Sequence, residues 1–268
     1  GIVGSMGAAF STVSGNTIYD INRRGLFDGA EQAGLKFHGA IDALISHNHI
    51  HHTMRGIWLD WMTQGTRVTG NLLYENGPRE DLFVEVNHGP FLVDNNVLLS
   101  PVALLEASGG GAYAHNLFAG QVRVRQERTR DTPYHPAHST TVAGLSKVVG
   151  DDERFYNNLF AGSAGLTTYD GWGAQLQAAG NVYVNGAKPS QFDQNPTTDA
   201  ALDPQLKLIE TDGVVTLQIA LNAAWTQQQR ALVTTELLGK AKNPNLPFVQ
   251  SDDSPYRIDT DYLGQKRD

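Results

Sequence analysis

Asparagine, followed at once by a short apolar or β-branched run, recurs along the chain: GNTIYD at Asn16, HNHIHH at Asn48, GNLLYE at Asn71, NNVLLS at Asn96, HNLFAG at Asn116, NNLFAG at Asn158 and GNVYVN at Asn181. The successive spacings are 32, 23, 25, 20, 42 and 23 residues, and the 42 amounts either to two units or to one unit with an insertion. A period in the low twenties, short β runs and no long amphipathic helix describe an all-β right-handed parallel β-helix, a solenoid of stacked coils. One coil cannot cover its own apolar face, so stacking buries Ile, Leu, Val and Phe in a continuous inner column. The recurring Asn is suited to an inward ladder of side chains bonded from coil to coil, and Asn tolerates the left-handed backbone that tight corners need. A leucine-rich repeat shares the period but would require LxxLxLxxN, which does not occur.

The chain has 268 residues, 40% of them apolar, enough to bury a sizeable core in one repetitive domain. Its net charge of −8, with 20 Lys and Arg, argues against nucleic acid or an anionic membrane as the main partner. No apolar run approaches the ~18 residues of a spanning helix. Cysteine is absent, which removes disulfides and thiolate metal sites without fixing the compartment. The chain opens GIVGSMGAAF, without an initiator Met or a signal-peptide pattern, and reads as a piece of a longer polypeptide or as one whose start was removed.

Two strand-like runs, GIWLDWM and DLFVEVN, lie within residues 56 to 90. Alternation puts Ile57, Leu59 and Trp61 on one face and Trp58 and Asp60 on the other. In the second run Leu82, Val84 and Val86 oppose Phe83, Glu85 and Asn87. Aligning Gly56 with Asp81 in parallel sets Trp58 beside Phe83 and Asp60 beside Glu85. The preceding GLKFHG places Lys36 under Trp58 and His38 under Asp60. Strands about 4.8 Å apart bring the two carboxyls near the ~5 Å of retaining glycosidases rather than the wider gap of inverting ones. Glu85, among apolar neighbours and beside a second carboxylate, is the better acid to stay protonated. Asp60, near His38 and Arg67, is suited to remain ionised. Trp58 or Phe83 could stack on a sugar, and Asn87 and His88 are further candidates for substrate contact. This chemistry calls for no cofactor and no metal. Two outward carboxylates on a β-helix are equally readable as solvated surface groups.

Elsewhere the signals are weaker. HNHIHH sets His47, His49 and His51 on one side of a strand with His52 following, but no carboxylate or Cys accompanies them at ligand spacing. In PVALLEASGGG, Leu105 reads as inward and Glu106 as outward. With Arg123 and Arg125 turned outward in QVRVRQER, Glu106 reads as a salt-bridged structural residue rather than a third catalytic acid. Residues 126 to 151, with Pro133, Tyr134, His135, Pro136 and His138, interrupt the repeat as a groove-lining or a merely variable loop. Asp170 and Trp172 could share the face of Asp60, though spacing alone does not place them. The domain reading is therefore coils over residues 1 to 186 and a non-repeating capping segment over 187 to 268. That segment should hold a hairpin around Thr211, Asp212 and Gly213, a short helix in QQQRALVTTELLG and an extended tail. No matching cap shows at the amino end, which calls for further coils of the same protein or a second copy of the chain.

The stretches GLKFHGAID, GIWLDWMTQGTRVTGNLLYEN, DLFVEVNHGPFLVDNN and SPYRIDTDYLGQKR together resemble the carboxyl-terminal part of the family 120 glycoside hydrolases, which are β-xylosidases. The resemblance spans nearly the whole chain. It implies a retaining, exo-acting enzyme on xylobiose and short xylo-oligosaccharides, with Asp60 as nucleophile and Glu85 as acid/base. It also implies that Glu31, in GAEQAGLKFHGA, holds sugar hydroxyls, and that the compartment is the cytoplasm rather than the exterior. Members of the family are larger, with extra amino-terminal coils and an inserted β-sandwich. They carry bulky or imidazole side chains near this glutamate, where Ala30 and Ala40 stand here, a departure that bears on strict selectivity for xylose. Two alternatives use the same fold. A polysaccharide lyase acting on an acidic polysaccharide would use a Lys or Arg base, for which Lys36 is the candidate, with Ca²⁺ held by clustered Asp. A non-catalytic carbohydrate-binding solenoid would bind sugar and tolerate loss of either carboxylate.

Overall fold

The computed structural model describes the chain apart from residues 7, 23, 27, 28, 30, 172–175 and 268 and the side chain of residue 226. Ala30 and Trp172, both singled out above, lie outside the described residues. The chain is a parallel β-helix. Among the described residues there are three parallel sheets of six, eight and eight strands; the first six coils contribute a strand to each in turn, and the last two only to the second and third. The first sheet contains the strands Leu35–His38, Ile57–Asp60, Leu82–Glu85, Val102–Ala107 and Gln121–Val124. Inside, Leu35, Phe37, Ile57, Leu59, Leu82, Val84 and Leu104 join Ile45, Val68, Val93, Leu73 and Phe118 from the other two sheets in one apolar column. The aromatic rings of Phe118, Phe160 and Tyr183 stack at 5.0 Å between successive centroids.

The asparagine ladder is continuous. The Nδ2 of each ladder residue donates to the Oδ1 of the next, from Asn16 through Asn48, Asn71, Asn96, Asn116 and Asn158 to Asn181, at 2.9–3.0 Å. The same Oδ1 also accepts the backbone N–H of the residue below, and every ladder residue from Asn48 to Asn181 gives its second amide proton to a backbone carbonyl or, at the far end, to Asp193. The residue before each rung takes a positive φ of 53–69°: Gly15, His47, Gly70, Asn95, His115, Asn157 and Gly180. Gly, Asn and His are the residues that tolerate this corner best. His47 is therefore a corner residue, off the strand His49–His51, and the expected face of three histidines does not form. Because Asn116 bonds directly to Asn158, the interval of 42 is one coil with an insertion. The insertion is an antiparallel hairpin, Asp131–Tyr134 with Gly144–Lys147.

Strands Asp193–Gln194 and Thr197–Asp199 still belong to the parallel sheets, so the repeat runs on past 186. The hairpin expected around Asp212 forms from Lys207–Thr211 and Val214–Gln218. The expected helix shortens to Thr235–Leu238, N-capped by the Thr234 hydroxyl. The non-repeating segment covers flanks of the solenoid. Leu202, Leu206 and Trp225 pack outside the third sheet on Val182 and Val184. Val233, Leu238, Phe248, Tyr256 and Ile258 cover Leu92, Ala112, Ala114 and Tyr156 outside the second. Arg154 is buried beneath this strap, donating to the carbonyls of Leu238 and Lys240, each at 2.6 Å. No helix among the described residues is long and apolar enough to cross a membrane.

The alternation expected for PVALLEA is inverted. Ala103 and Leu104 both enter the core, and the register to the next strand slips between Val102 and Leu104. This bulge turns Leu105 outward beside Phe83 and drives Glu106 inside, opposite Val84. There the Tyr113 hydroxyl and the Ser108 N–H donate to its carboxylate. Burial pushes Glu106 up to about 8 and Asp81, also fully enclosed, up to about 7. Glu153, buried near Glu106, is raised as well.

Two predictions follow from these interior amides and acids. Asn96→Ala leaves several buried donors and acceptors unmatched and should lower the unfolding free energy by on the order of 3 kcal/mol, measured by urea denaturation. A raised carboxyl keeps its proton in the folded state where the unfolded chain has lost it, so stability should fall as pH rises from about 4.5 towards about 8. Glu106→Gln should remove part of that slope, and an unchanged slope would show that Glu106 does not titrate in this window.

Candidate active site

The outward face of the first sheet carries the site. Its register pairs Trp58 with Phe83 and Asp60 with Glu85, and in the strand below Lys36 with Trp58 and His38 with Asp60. These are the neighbours that strand alternation leads one to expect. Trp58, Phe83, Ala33 and Ala107, with Leu105 alongside, form a small apolar floor of their own, separated from the main core by the sheet.

Asp60 is almost enclosed, and one of its oxygens is fully engaged. The Lys36 ammonium lies 2.9 Å from Oδ2, and His38 Nε2 donates to the same oxygen at 2.8 Å. Oδ1 is buried and has no hydrogen-bond partner. Lys36, 1% exposed, also meets Glu31 Oε1 at 2.8 Å, and Glu31 is half open to solvent. Glu31 takes a positive φ of 75° in the turn that leads into the strand Leu35–His38. Glu31, His38 and Asp60 approach closely enough to share an ion, but the positive charge between the two carboxylates is already supplied by Lys36.

Glu85 stands in a different setting. Its Oε2 accepts the Trp58 indole N–H at 3.1 Å, and its Oε1 meets Arg125 Nη2 at 2.7 Å and Arg130 Nη1 at 3.8 Å. Burial, and then the Asp60 charge, raise its pKa above the ordinary carboxylate range, while Arg125 and Arg130 oppose that rise. The two carboxyls thus share a face while their cations are separate. The rings between them are largely covered: the Lys36 ammonium sits 3.4 Å and the Arg55 guanidinium 4.2 Å from the Trp58 ring centroid, and Arg125 lies 5.1 Å from that of Phe83. They form the floor of the site and leave little open surface for a sugar to stack on.

Several expected members are elsewhere. Val86 adopts a φ of 50°, which ends the strand at Glu85 and turns Asn87 inward. There Asn87 donates to the Leu59 carbonyl and to Ser108 Oγ, both at 3.1 Å. His88 is buried against the inserted hairpin, with Nε2 at 3.0 and 3.1 Å from the carbonyls of Thr132 and Ser146 and Nδ1 accepting from Asn243. Both carbonyls need a donor, so a neutral ring with its proton on Nε2 fits, in keeping with a pKa lowered by burial. Arg67 pairs with Asp94 and not with Asp60. Asp170 accepts from Ser190 and Gln191. His49 and His51 stack in a ladder with Tyr74.

Arg125 and Arg130 were not assigned to Glu85 on sequence. Glu106 pairs with Val124 across the last two strands of the sheet, so the next residues, Ala107 and Arg125, continue the column Asp60, Glu85. Alanine leaves that rung empty, and the arginine reaches across it. The signal lay in the outward alternation of Arg123 and Arg125, once the bulge had displaced Glu106.

No family model and no curated protein matches the sequence. The solved structure of XylC in complex with xylose aligns with 100% of this chain at 36% identity and a TM-score of 0.94. The chain covers 46% of XylC and so spans less than half the length of that relative. An alginate lyase from Paenibacillus sp. str. FPU-7 aligns at a TM-score of 0.33 and 11% identity over 74% of this chain and 87% of its own, too distant to inform the chemistry.

Lys36→Met would leave Asp60 enclosed with the His38 Nε2 hydrogen bond as the remaining contact on Oδ2. Removing one partner of a buried ion pair costs about 3–5 kcal/mol, and urea unfolding should show a loss of that order. A loss under about 1 kcal/mol would mean that Asp60 does not depend on Lys36.

Proposed function

We propose that the chain forms the catalytic part of a retaining glycoside hydrolase that releases xylose from xylobiose and short xylo-oligosaccharides. The observation that carries this reading is the in-register placement of Asp60 and Glu85 on adjacent parallel strands, each with its own set of cations. Strand spacing of about 4.8 Å favours the short carboxyl separation of double displacement. The similarity of this whole chain to 46% of XylC, solved with xylose, supports the sugar. In the first half-reaction a carboxylate oxygen of Asp60 attacks the anomeric carbon. Glu85 gives its proton to the glycosidic oxygen as the bond to the leaving sugar breaks, and a xylosyl ester on Asp60 results. In the second half, water attacks the same carbon, its proton passes to Glu85 and the ester bond breaks. Glu31, held by Lys36 and half exposed, is placed to accept hydrogen bonds from sugar hydroxyls. Enclosure of the Lys36 ammonium between two carboxylates weighs against its use as the base of a lyase.

The test uses the purified protein with an aryl β-xyloside, xylobiose and an acidic polysaccharide. Release of the phenol with the β-anomer as first product is expected. Asp60→Ala should abolish turnover of every substrate. Glu85→Ala should lose about 10²–10⁴-fold on xylobiose, much less in the first step with a good leaving group, and should form the β-xylosyl azide when azide is added. A first product of α configuration, an unsaturated product, or full activity in Asp60→Ala would each overturn the assignment.

A further inference from the structure

Building on the hydrolase reading, we propose that Arg125 is the movable counter-ion of Glu85, a positioning residue that keeps this carboxylate ionised while the site is open. It must leave Oε1 before a glycosidic oxygen can be protonated there.

The geometry narrows where the acid proton can sit. Glu85 has two oxygens, and Oε2 is taken by the Trp58 indole N–H, which cannot accept a proton in return. The proton and the leaving-group oxygen therefore belong at Oε1. That oxygen is where Arg125 Nη2 lies, at 2.7 Å, with Arg130 Nη1 at 3.8 Å. A guanidinium does not give up its proton at any ordinary pH, so it cannot stand in for the acid. In the arrangement seen, both arginines favour the ionised carboxylate, which suits the second half of the cycle and opposes the first.

Arg125 is also built to move. Its backbone is fixed at the edge of the sheet, where its N–H donates to the Glu106 carbonyl at 2.8 Å. Its side chain is 47% exposed against 13% for that of Glu85, and it reaches Glu85 across Ala107, whose methyl group leaves a gap in the rung. Holding such a half-exposed pair together contributes little, and a bound sugar displaces it at small cost. Once the guanidinium swings away, what remains around Glu85 is Trp58, the Asp60 charge screened by Lys36 and His38 on its other oxygen, and Arg130 at longer range, with Arg55 lying over the rings. Burial and Asp60 then act with less opposition and favour proton uptake. When the first sugar departs, Arg125 returns and favours the base form that takes the proton from water.

The decisive measurement is the titration of Glu85 itself, followed by carbon NMR of glutamate labelled at the side-chain carboxyl and assigned by its loss in Glu85→Gln. Arg125→Gln should move the Glu85 midpoint upward and shift the basic limb of the kcat/KM profile on an aryl β-xyloside in the same direction. Arg125→Lys, which keeps the charge, should restore much of the original midpoint. Saturating the unaltered protein with a non-hydrolysable, sulfur-linked xylobioside should also raise the midpoint. The proposal fails if Arg125→Gln leaves the midpoint where it was, or if the bound xylobioside does. A purely structural role for Arg125 would alter unfolding without moving the titration. If no variant turns over a xyloside, the hydrolase reading falls, and the titration still decides whether Arg125 governs the charge on Glu85.

Discussion

From Asn16 to Asn181 one amide rung per coil ties each coil in register to the next. An Asn side chain in the interior must satisfy two donors and an acceptor; the Asn above and below take one donor and the acceptor, and a backbone carbonyl takes the second donor. A coil that slipped by one residue would leave amides unpaired in two neighbouring coils at once. The left-handed corner before each rung fixes where the chain turns. With corner and rung both set, the strand that begins the next coil has little freedom, and Asp60 arrives beside Glu85 as a result. The chemistry on the outside is indexed by hydrogen bonds on the inside.

This coupling explains how far the fold and the site could be read from residues alone. The Asn spacing and strict alternation lead to the parallel coils and to the pairs Lys36 with Trp58, His38 with Asp60 and Asp60 with Glu85. The reading fails where the backbone leaves the regular strand. Val86 has no residue type that announces a positive φ, so Asn87 was placed on a face that it does not occupy. The bulge at Ala103 and Leu104 has no glycine or proline to mark it, and it exchanged the faces of Leu105 and Glu106. The histidines of HNHIHH drew attention as chemistry, whereas His47 serves as a corner. Contacts made by long side chains across an empty rung, such as Arg125 over Ala107 to Glu85, depend on what is missing from the sequence as much as on what is present.

The two carboxyls of the site illustrate how a flat sheet surface can differentiate like groups. Asp60 and Glu85 occupy equivalent positions on adjacent strands, so the sheet itself treats them alike. What separates them is the column in which each finds its partners. Asp60 looks down to Lys36 and His38, which are nearly or partly enclosed, while Glu85 looks up to arginines at the open rim. An enclosed ammonium and a half-exposed guanidinium give two like groups different surroundings, and the proposed division of labour rests on that asymmetry.

The strap that runs from Val233 to Ile258 bears on how the molecule comes apart. A bare solenoid holds each coil only by its two neighbours, so it can fray from either end one rung at a time. The strap's apolar side chains rest together on Leu92, Ala112, Ala114 and Tyr156, which belong to three successive coils, and Arg154 ties it down by two carbonyls. Peeling one of these coils away means lifting the strap from all three. It works as a longitudinal splint, converting a row of independent steps into a single event around the coils next to Glu85.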